Sequence, residues 1–357
     1  MPKTDEGSTG RLLQLCAAYY AFYVVTGVAV KYFRGPAAEG YPGLGEIEYM
    51  AYSTAGGTAI CLLVVLVARW WRLESTRSIR LGPLRLPAEL LYIVPSGVCT
   101  AVVIPTTTLL YTFPIPVMVA MVIMRGAVIV ISRLVDAIQI RQGILKKRVY
   151  WEEDAAVGFA LAAVASNLIW GSQKSGFSIL RSVPALVTLG SYVLAYFIRI
   201  YIMNYYKNTR PPGTRLDNKG FFTLEQISAA ATLTLAAVVA FHAPRWFDTQ
   251  APQLVEFHRA VAAPPGGWLL AVLSGTSFGA VAFFSVFIFM FKGRTATFAG
   301  LVNRLTSLVA GTTATLLSWL LLGGKLPTLQ DWISLGFILI AVAFLSRAER
   351  RRAREPR

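Results

Sequence analysis

Ala296–Leu322, ATFAGLVNRLTSLVAGTTATLLSWLLL, is long and apolar enough to cross a bilayer, yet it carries Asn303 and Arg304 near its start. At about 1.5 Å of rise per residue, a depth of about eight residues puts Arg304 roughly 12 Å below the surface. An arginine so placed costs about 2.5–3.5 kcal/mol on insertion scales, so something must offset it. The helix is also two-sided. Gly300, Arg304, Ser307, Gly311, Thr315 and Ser318 recur at spacings of three and four, while Leu301, Leu305, Leu308, Leu316 and Leu320 fall largely elsewhere. Small and hydroxylated residues around one arginine read as the wall of a wet cavity. The alternative is a packing face whose arginine snorkels to the interface.

The rest of the chain has the same character. Its 357 residues are 55% hydrophobic and 15% charged, with a mean hydropathy of +0.56, far from the composition of a soluble protein. Ten apolar runs, 12–30, 49–68, 88–110, 113–134, 154–172, 179–203, 222–242, 268–290, 296–322 and 329–346, predict an all-α integral membrane protein of ten transmembrane helices. No stretch between them is long enough for a second domain, so 1–357 reads as one membrane domain.

The connecting segments alternate in charge: one side holds twenty-three lysines and arginines, the other only seven. The positive-inside rule then places both termini in the cytoplasm, with a basic cytoplasmic tail over 347–357 that is solvated or touches anionic headgroups. The net charge of +16 is therefore a topology signal and not a nucleic-acid footprint. Asp5 and Glu6 ahead of the first run make it a retained helix rather than a signal peptide. Cys16, Cys61 and Cys99 sit inside apolar runs and read as buried small hydrophobes. His242 and His258 have no neighbouring cysteine or paired carboxylates. No metal site and no cofactor are expected.

Within the spans, the first carries Tyr19, Tyr20 and Tyr23 but no carboxylate of the kind a cation–proton exchanger needs. The loop after it is acidic (Glu39, Glu46, Glu48), a solvated segment or a gate. Pro95 and Pro105, near Ser96 and Thr106–Thr108, predict a kink or a hinge in the third span. Arg125 lies near the midplane of the fourth, beside Gly126. Arg133 and Asp136 near its inner end suit snorkelling or a local ion pair, and Glu152, Glu153 and Asp154 suit a helix start. The sixth span carries Tyr192, Tyr196 and Arg199, the last close enough to the end to snorkel. Thr223-x-x-Gln226 reads as the cap of the seventh.

A shift of 179 residues superposes Arg125 on Arg304 and Lys146 on Lys325, and leaves Trp151 and Trp332 two positions apart. The fourth and ninth spans run in opposite directions, so the pattern predicts two inverted five-helix repeats, 12–172 and 179–346, with one arginine from each near a midplane site.

The whole layout resembles the drug/metabolite transporter superfamily, with its ten-span, EamA-type duplicated fold, most strongly over 116–167 and 267–346. MRGAVIVIS and GLVNRLTSLVAG resemble segments of its nucleotide-sugar and phosphate-translocator branch. Gly300-Leu301-Val302-Asn303-Arg304 is similar to the GALNK motif of GDP-mannose carriers, with arginine at the lysine position. The resemblance implies that Gly300 permits close approach, that Asn303 contacts the substrate and that Arg304 meets phosphate.

These readings converge on a non-enzymatic secondary transporter that moves a small anionic, phosphate-bearing metabolite by alternating access, with exchange favoured. The expected substrate-binding residues are Arg125, Gly300, Asn303, Arg304, Ser307, Gly311 and Tyr196. The expected partners are that small molecule and the lipid bilayer; oligomeric state is left open. The alternatives are an exporter of neutral or amphipathic metabolites such as amino acids or nucleobases, a membrane-embedded enzyme on lipid-linked substrates, and a non-transporting scaffold. A bacterial cytoplasmic membrane is the expected location, a Golgi or ER membrane the alternative.

Overall fold

The structure, a computed structural model, describes residues 9–71, 75, 78–81, 84–115, 117–145, 150–169, 181–210, 217–291, 296–324 and 326–352. Among them are eleven α-helices: α1 (Thr9–Phe33), α2 (Glu46–Val67), α3 (Leu90–Thr112), α4 (Val117–Arg141), α5 (Trp151–Ile169), α6 (Val183–Thr209), α7 (Asn218–Trp246), α8 (Pro252–Ala262), α9 (Trp268–Phe289), α10 (Ala296–Leu322) and α11 (Leu329–Arg352). Nine of these are long and apolar enough to cross a membrane, which makes the chain a multi-pass membrane protein. The remaining expected span coincides with α5, whose first turn carries Glu152, Glu153 and Asp154. Residues 170–172 of that run, and both Lys146 and Lys325, lie outside the described residues.

Several expectations need correction. The basic loop after α2 holds a two-stranded hairpin that the all-α reading did not include: Ser78–Leu81 (β1) and Leu84–Pro87 (β2) pair antiparallel, with Arg80 opposite Arg85. The loop between α7 and α9 holds the short helix α8, opened by Pro252 where a missing N–H costs nothing. Helix α11 runs through Arg347 to Arg352 instead of ending in a tail at 347. Arg351 there reaches the buried carboxylate of Glu152 on α5 at 2.5 Å. Helix α7 starts before Thr223, because the Asp217 side chain offers an earlier cap and accepts from the Gly220 N–H at 2.8 Å. The Thr223 hydroxyl instead donates to the carbonyl of Trp70 at 3.0 Å.

The helices pack in a definite scheme. Helix α2 lies along α9, α3 against α6 and α7, α1 against α9 and α10, α4 against α5, α6 and α10, and α11 along α5 and α10. Exchanging α1–α5 for α6, α7, α9, α10 and α11 in order turns each of these pairs into a pair of the same set. Close approach between α2 and α9 depends on Gly275, where an added Cβ would sit 2.2 Å from the carbonyl oxygen of Ser53. Helix α3 stays continuous through Pro95 and Pro105. The Ser228 hydroxyl of α7 donates to the Val94 carbonyl at 2.9 Å, and Thr106 and Thr107 donate to carbonyls of their own helix. Neither proline ends the helix, and the threonine hydroxyls beside Pro105 are already engaged.

Candidate functional site

Helices α1, α3, α4, α6 and α9 enclose a cavity of about 40 Å³ at the centre of the bundle. Arg125 lines it, 2% exposed, together with Tyr19, Tyr23, Tyr192, Tyr196 and Arg199. The space has room for a few waters and nothing larger. Arg125 does not snorkel. Its Nη2 donates to the Tyr23 hydroxyl and, at 3.5 Å, to that of Tyr19; its Nε has no hydrogen-bond partner among the described residues. Tyr111 on α3 donates in turn to Tyr23 at 3.1 Å, so three tyrosines organise this guanidinium.

Arg304 is in a different state. It is 1% exposed, and Nε, Nη1 and Nη2 all lack a hydrogen-bond partner among the described residues. Aromatic rings take the place of acceptors: its Cζ lies 5.6 Å from the centroid of Tyr196 and 5.2 Å from that of Phe289. Tyr196 also lines the Arg125 cavity, so one side chain borders both that cavity and Arg304. Among the described residues, the cavity that Arg125 lines is not one that Arg304 lines. Arg304 borders a separate void of about 10 Å³, beside Gly300, Ser132 and Arg133.

The other expected site residues divide. Asn303 is fully buried and its amide is engaged, accepting from Tyr19 at 3.2 Å and donating to Ser285 at 3.2 Å. It positions Tyr19 and so acts on Arg125 at one remove. Gly300 borders the void at Arg304, but a Cβ there would meet Phe289 only at an ordinary 3.5 Å. Ser307 donates to the carbonyl of Arg304 at 2.9 Å, so its hydroxyl is engaged with its own helix. Gly311 lies on the same helix face but packs against Met121, away from both arginines.

A third arginine belongs to the chamber. Arg199 lies well inside α6, which continues to Thr209, and it does not snorkel. Its Nε and Nη2 donate to the two carboxylate oxygens of Glu225 on α7 at 2.8 and 2.9 Å, and Ser96 donates to Glu225 at 2.7 Å. Glu225 is fully buried. A buried carboxylate therefore exists where none was expected, seven residues into α7 and not in a capping turn. The signal for the tyrosine partners was present in the sequence: Tyr19 and Tyr23 are four apart, on one face of α1.

No family model and no curated protein matches the chain. A solved crystal structure, described only as that of a protein, shares the fold over 96% of this chain and 99% of its own, with a TM-score of 0.53 and 16% sequence identity. A likeness at that identity concerns the fold alone.

Proposed function

We propose that this chain is a secondary carrier for a small organic anion, phosphate-bearing by preference, built on the ten-span, inverted-repeat plan of the drug/metabolite transporters. In this reading α5 is the remaining crossing, and Arg304, Arg125 and Tyr196 form the binding centre. The exchangeable packing pairs support the two-unit plan, as does the full-length likeness in fold.

The observation that carries the proposal is Arg304: a fully buried guanidinium whose three nitrogens all lack a hydrogen-bond partner among the described residues. A buried charge left without a partner costs several kcal/mol. An anion that accepts two parallel N–H bonds removes that cost, and phosphate and carboxylate have the matching geometry. Arg125 adds a second cation, with its unengaged Nε available to the anion. Arg199 is already held by Glu225, so the centre carries an excess of positive charge when empty. The empty carrier then meets a penalty whenever it closes dry, and reorients faster when loaded. Exchange outpaces net flux.

Proteoliposome counterflow tests this. Uptake of labelled phosphate compounds should be fast into vesicles preloaded with the same compound and slow into empty ones. Equal rates overturn the exchange mechanism, and retention of transport by Arg304→Ala removes that residue from the site. The packing of Arg304 between Tyr196 and Phe289 favours a second reading, in which the arginines are structural and the cargo is neutral. Transport of amino acids or nucleobases that phosphate compounds do not inhibit would decide for it.

A further inference from the structure

A second, larger cavity, of about 310 Å³, opens at the face that bears few lysines and arginines, which is the outer face by the charge rule. It lies where the ends of α1 and α10 meet the start of α4, and that volume is at the lower end of ligand-site sizes. Ile115, Val117 and Leu322 give it apolar walls. Charges of both signs line it, Lys31 and Glu39; the Lys31 Nζ is held at the wall by the carbonyls of Tyr111, Phe113 and Ile115 at 3.0, 3.4 and 2.9 Å. Ser318 lines it too, only 6% exposed, and its Oγ has no hydrogen-bond partner among the described residues. A buried hydroxyl without a partner is costly, and a polar ligand group would satisfy it.

This cavity stands at one end of the small-residue face of α10. From Ser318 that face continues through Thr315, Gly311 and Ser307 to Arg304, a rise of roughly 21 Å along the axis. Thr315 fixes the alignment of α4 on α10 by accepting from the Met118 N–H at 3.0 Å. One turn further along α4, Met121 is fully buried and seated on Gly311, where an added Cβ would lie 2.4 Å from its sulfur. Met121 is also one turn from Arg125. A thioether on three rotatable bonds can swing aside without a helix having to move.

We propose that the outer cavity is an entrance station for an organic anion, its charged group near Lys31 and Ser318 and its apolar body against Ile115, Val117 and Leu322. Met121, seated on Gly311, is the plug between that station and the arginine chamber. This inference rests on the carrier reading for its purpose, but its test reads geometry without requiring transport.

The experiment places single cysteines at Ser318 and at Ser307 in the full chain, with Cys16, Cys61 and Cys99 replaced by alanine. A membrane-impermeant methanethiosulfonate is added to sealed right-side-out vesicles. S318C should react readily, and S307C about tenfold more slowly, as for a minor open state populated at about 10%. Met121→Ala should raise the S307C rate about tenfold and leave S318C unchanged, whereas the bulk-conserving Met121→Leu should keep S307C slow. Phenyl phosphate should slow S318C modification more than inorganic phosphate does, because only the former fills the apolar wall. An unreactive S318C overturns the station, and lack of protection overturns its anion. S307C reacting as fast with Met121 as without it overturns the plug. Counterflow that fails alongside the expected labelling would sink the carrier reading while leaving the plug in place.

Discussion

The two halves of the bundle are alike where they are held together and unlike where they face the chamber. Lys31, at the end of α1, donates to the carbonyls that close α3; Lys207, at the end of α6, donates to the Phe291 carbonyl just past α9 at 3.3 Å. Ser96 of α3 meets Glu225 of α7, and the hydroxyls of Ser274 on α9 and Tyr49 on α2 lie 3.5 Å apart. Inside, the likeness ends. The offset of 176 that brings Lys31 to Lys207 brings Tyr23 to Arg199 and Tyr49 to Glu225, so neutral tyrosines on one side answer an ion pair on the other. Arg125 is hydrogen-bonded by tyrosines, whereas Arg304 meets only rings among the described residues. Packing contacts repeat from half to half, whereas each half gives the chamber one arginine in a different setting, hydroxyls around Arg125 and rings around Arg304.

The largest effects on transport should fall on the arginine pair. Arg304→Met should lower counterflow about a hundredfold, a loss of about 2.7 kcal/mol of transition-state stabilisation. It should also raise the melting temperature of the ligand-free protein, because an apolar side chain of similar length removes the desolvation cost of an unpaired buried charge. Arg125→Met should instead lower the melting temperature, since the Tyr19 hydroxyl then loses its donor and Tyr23 keeps only that of Tyr111. Thermal unfolding of the two purified variants reads the sign. Shifts of the same sign would erase the distinction between a dressed and a bare arginine.

Next comes the Arg199–Glu225 pair, whose counterparts at the offset of 176 are Tyr23 and Tyr49. Arg199→Met alone leaves Glu225 buried with Ser96 as its remaining donor and should cost about 3–5 kcal/mol. Adding Glu225→Met should recover most of that loss, whereas Tyr49→Phe on the other side should cost only about 1 kcal/mol. Denaturation midpoints of the three variants measure it. An Arg199→Met loss no larger than that of Tyr49→Phe would mean that the pair is solvated, not buried.

Much of this was legible in the sequence, for stated reasons. Bilayer thickness fixes how long an apolar run must be, and each of the ten expected runs overlaps a helix, although three helices run six or seven residues past the expected end. Arg125 and Arg304 stood out because a guanidinium at that depth is expensive wherever it points. Their surroundings did not, since Tyr23 reaches Arg125 across about a hundred residues of sequence and nothing local marks that meeting. Glu225 was hidden by a misplaced helix start: set beside Thr223 it looked like part of a cap, and with the cap at Asp217 it is two turns deep. The outer cavity was invisible because it is made by helix ends from three separate places in the chain.

The smallest effects should test the likeness of the frames. A Cβ on Gly97 would lie 2.4 Å from that of Ser228 on α7, and one on Gly275 would lie 2.2 Å from the Ser53 carbonyl of α2. These are the same close approach made once in each half, so Gly97→Ala and Gly275→Ala should each cost about 1–3 kcal/mol of overpacking. Gly190, on α6, has open space where a Cβ would stand, with nothing within 4 Å, and serves as the control. There alanine should help by up to about 1 kcal/mol, through its better helix propensity. Equal losses at Gly97 and Gly275, set against a neutral or stabilised Gly190, would establish that both halves depend on the same contact. A loss at only one of the two would show that the asymmetry of the chamber extends into the frame, and that the halves have diverged in how they pack as well as in what they bind.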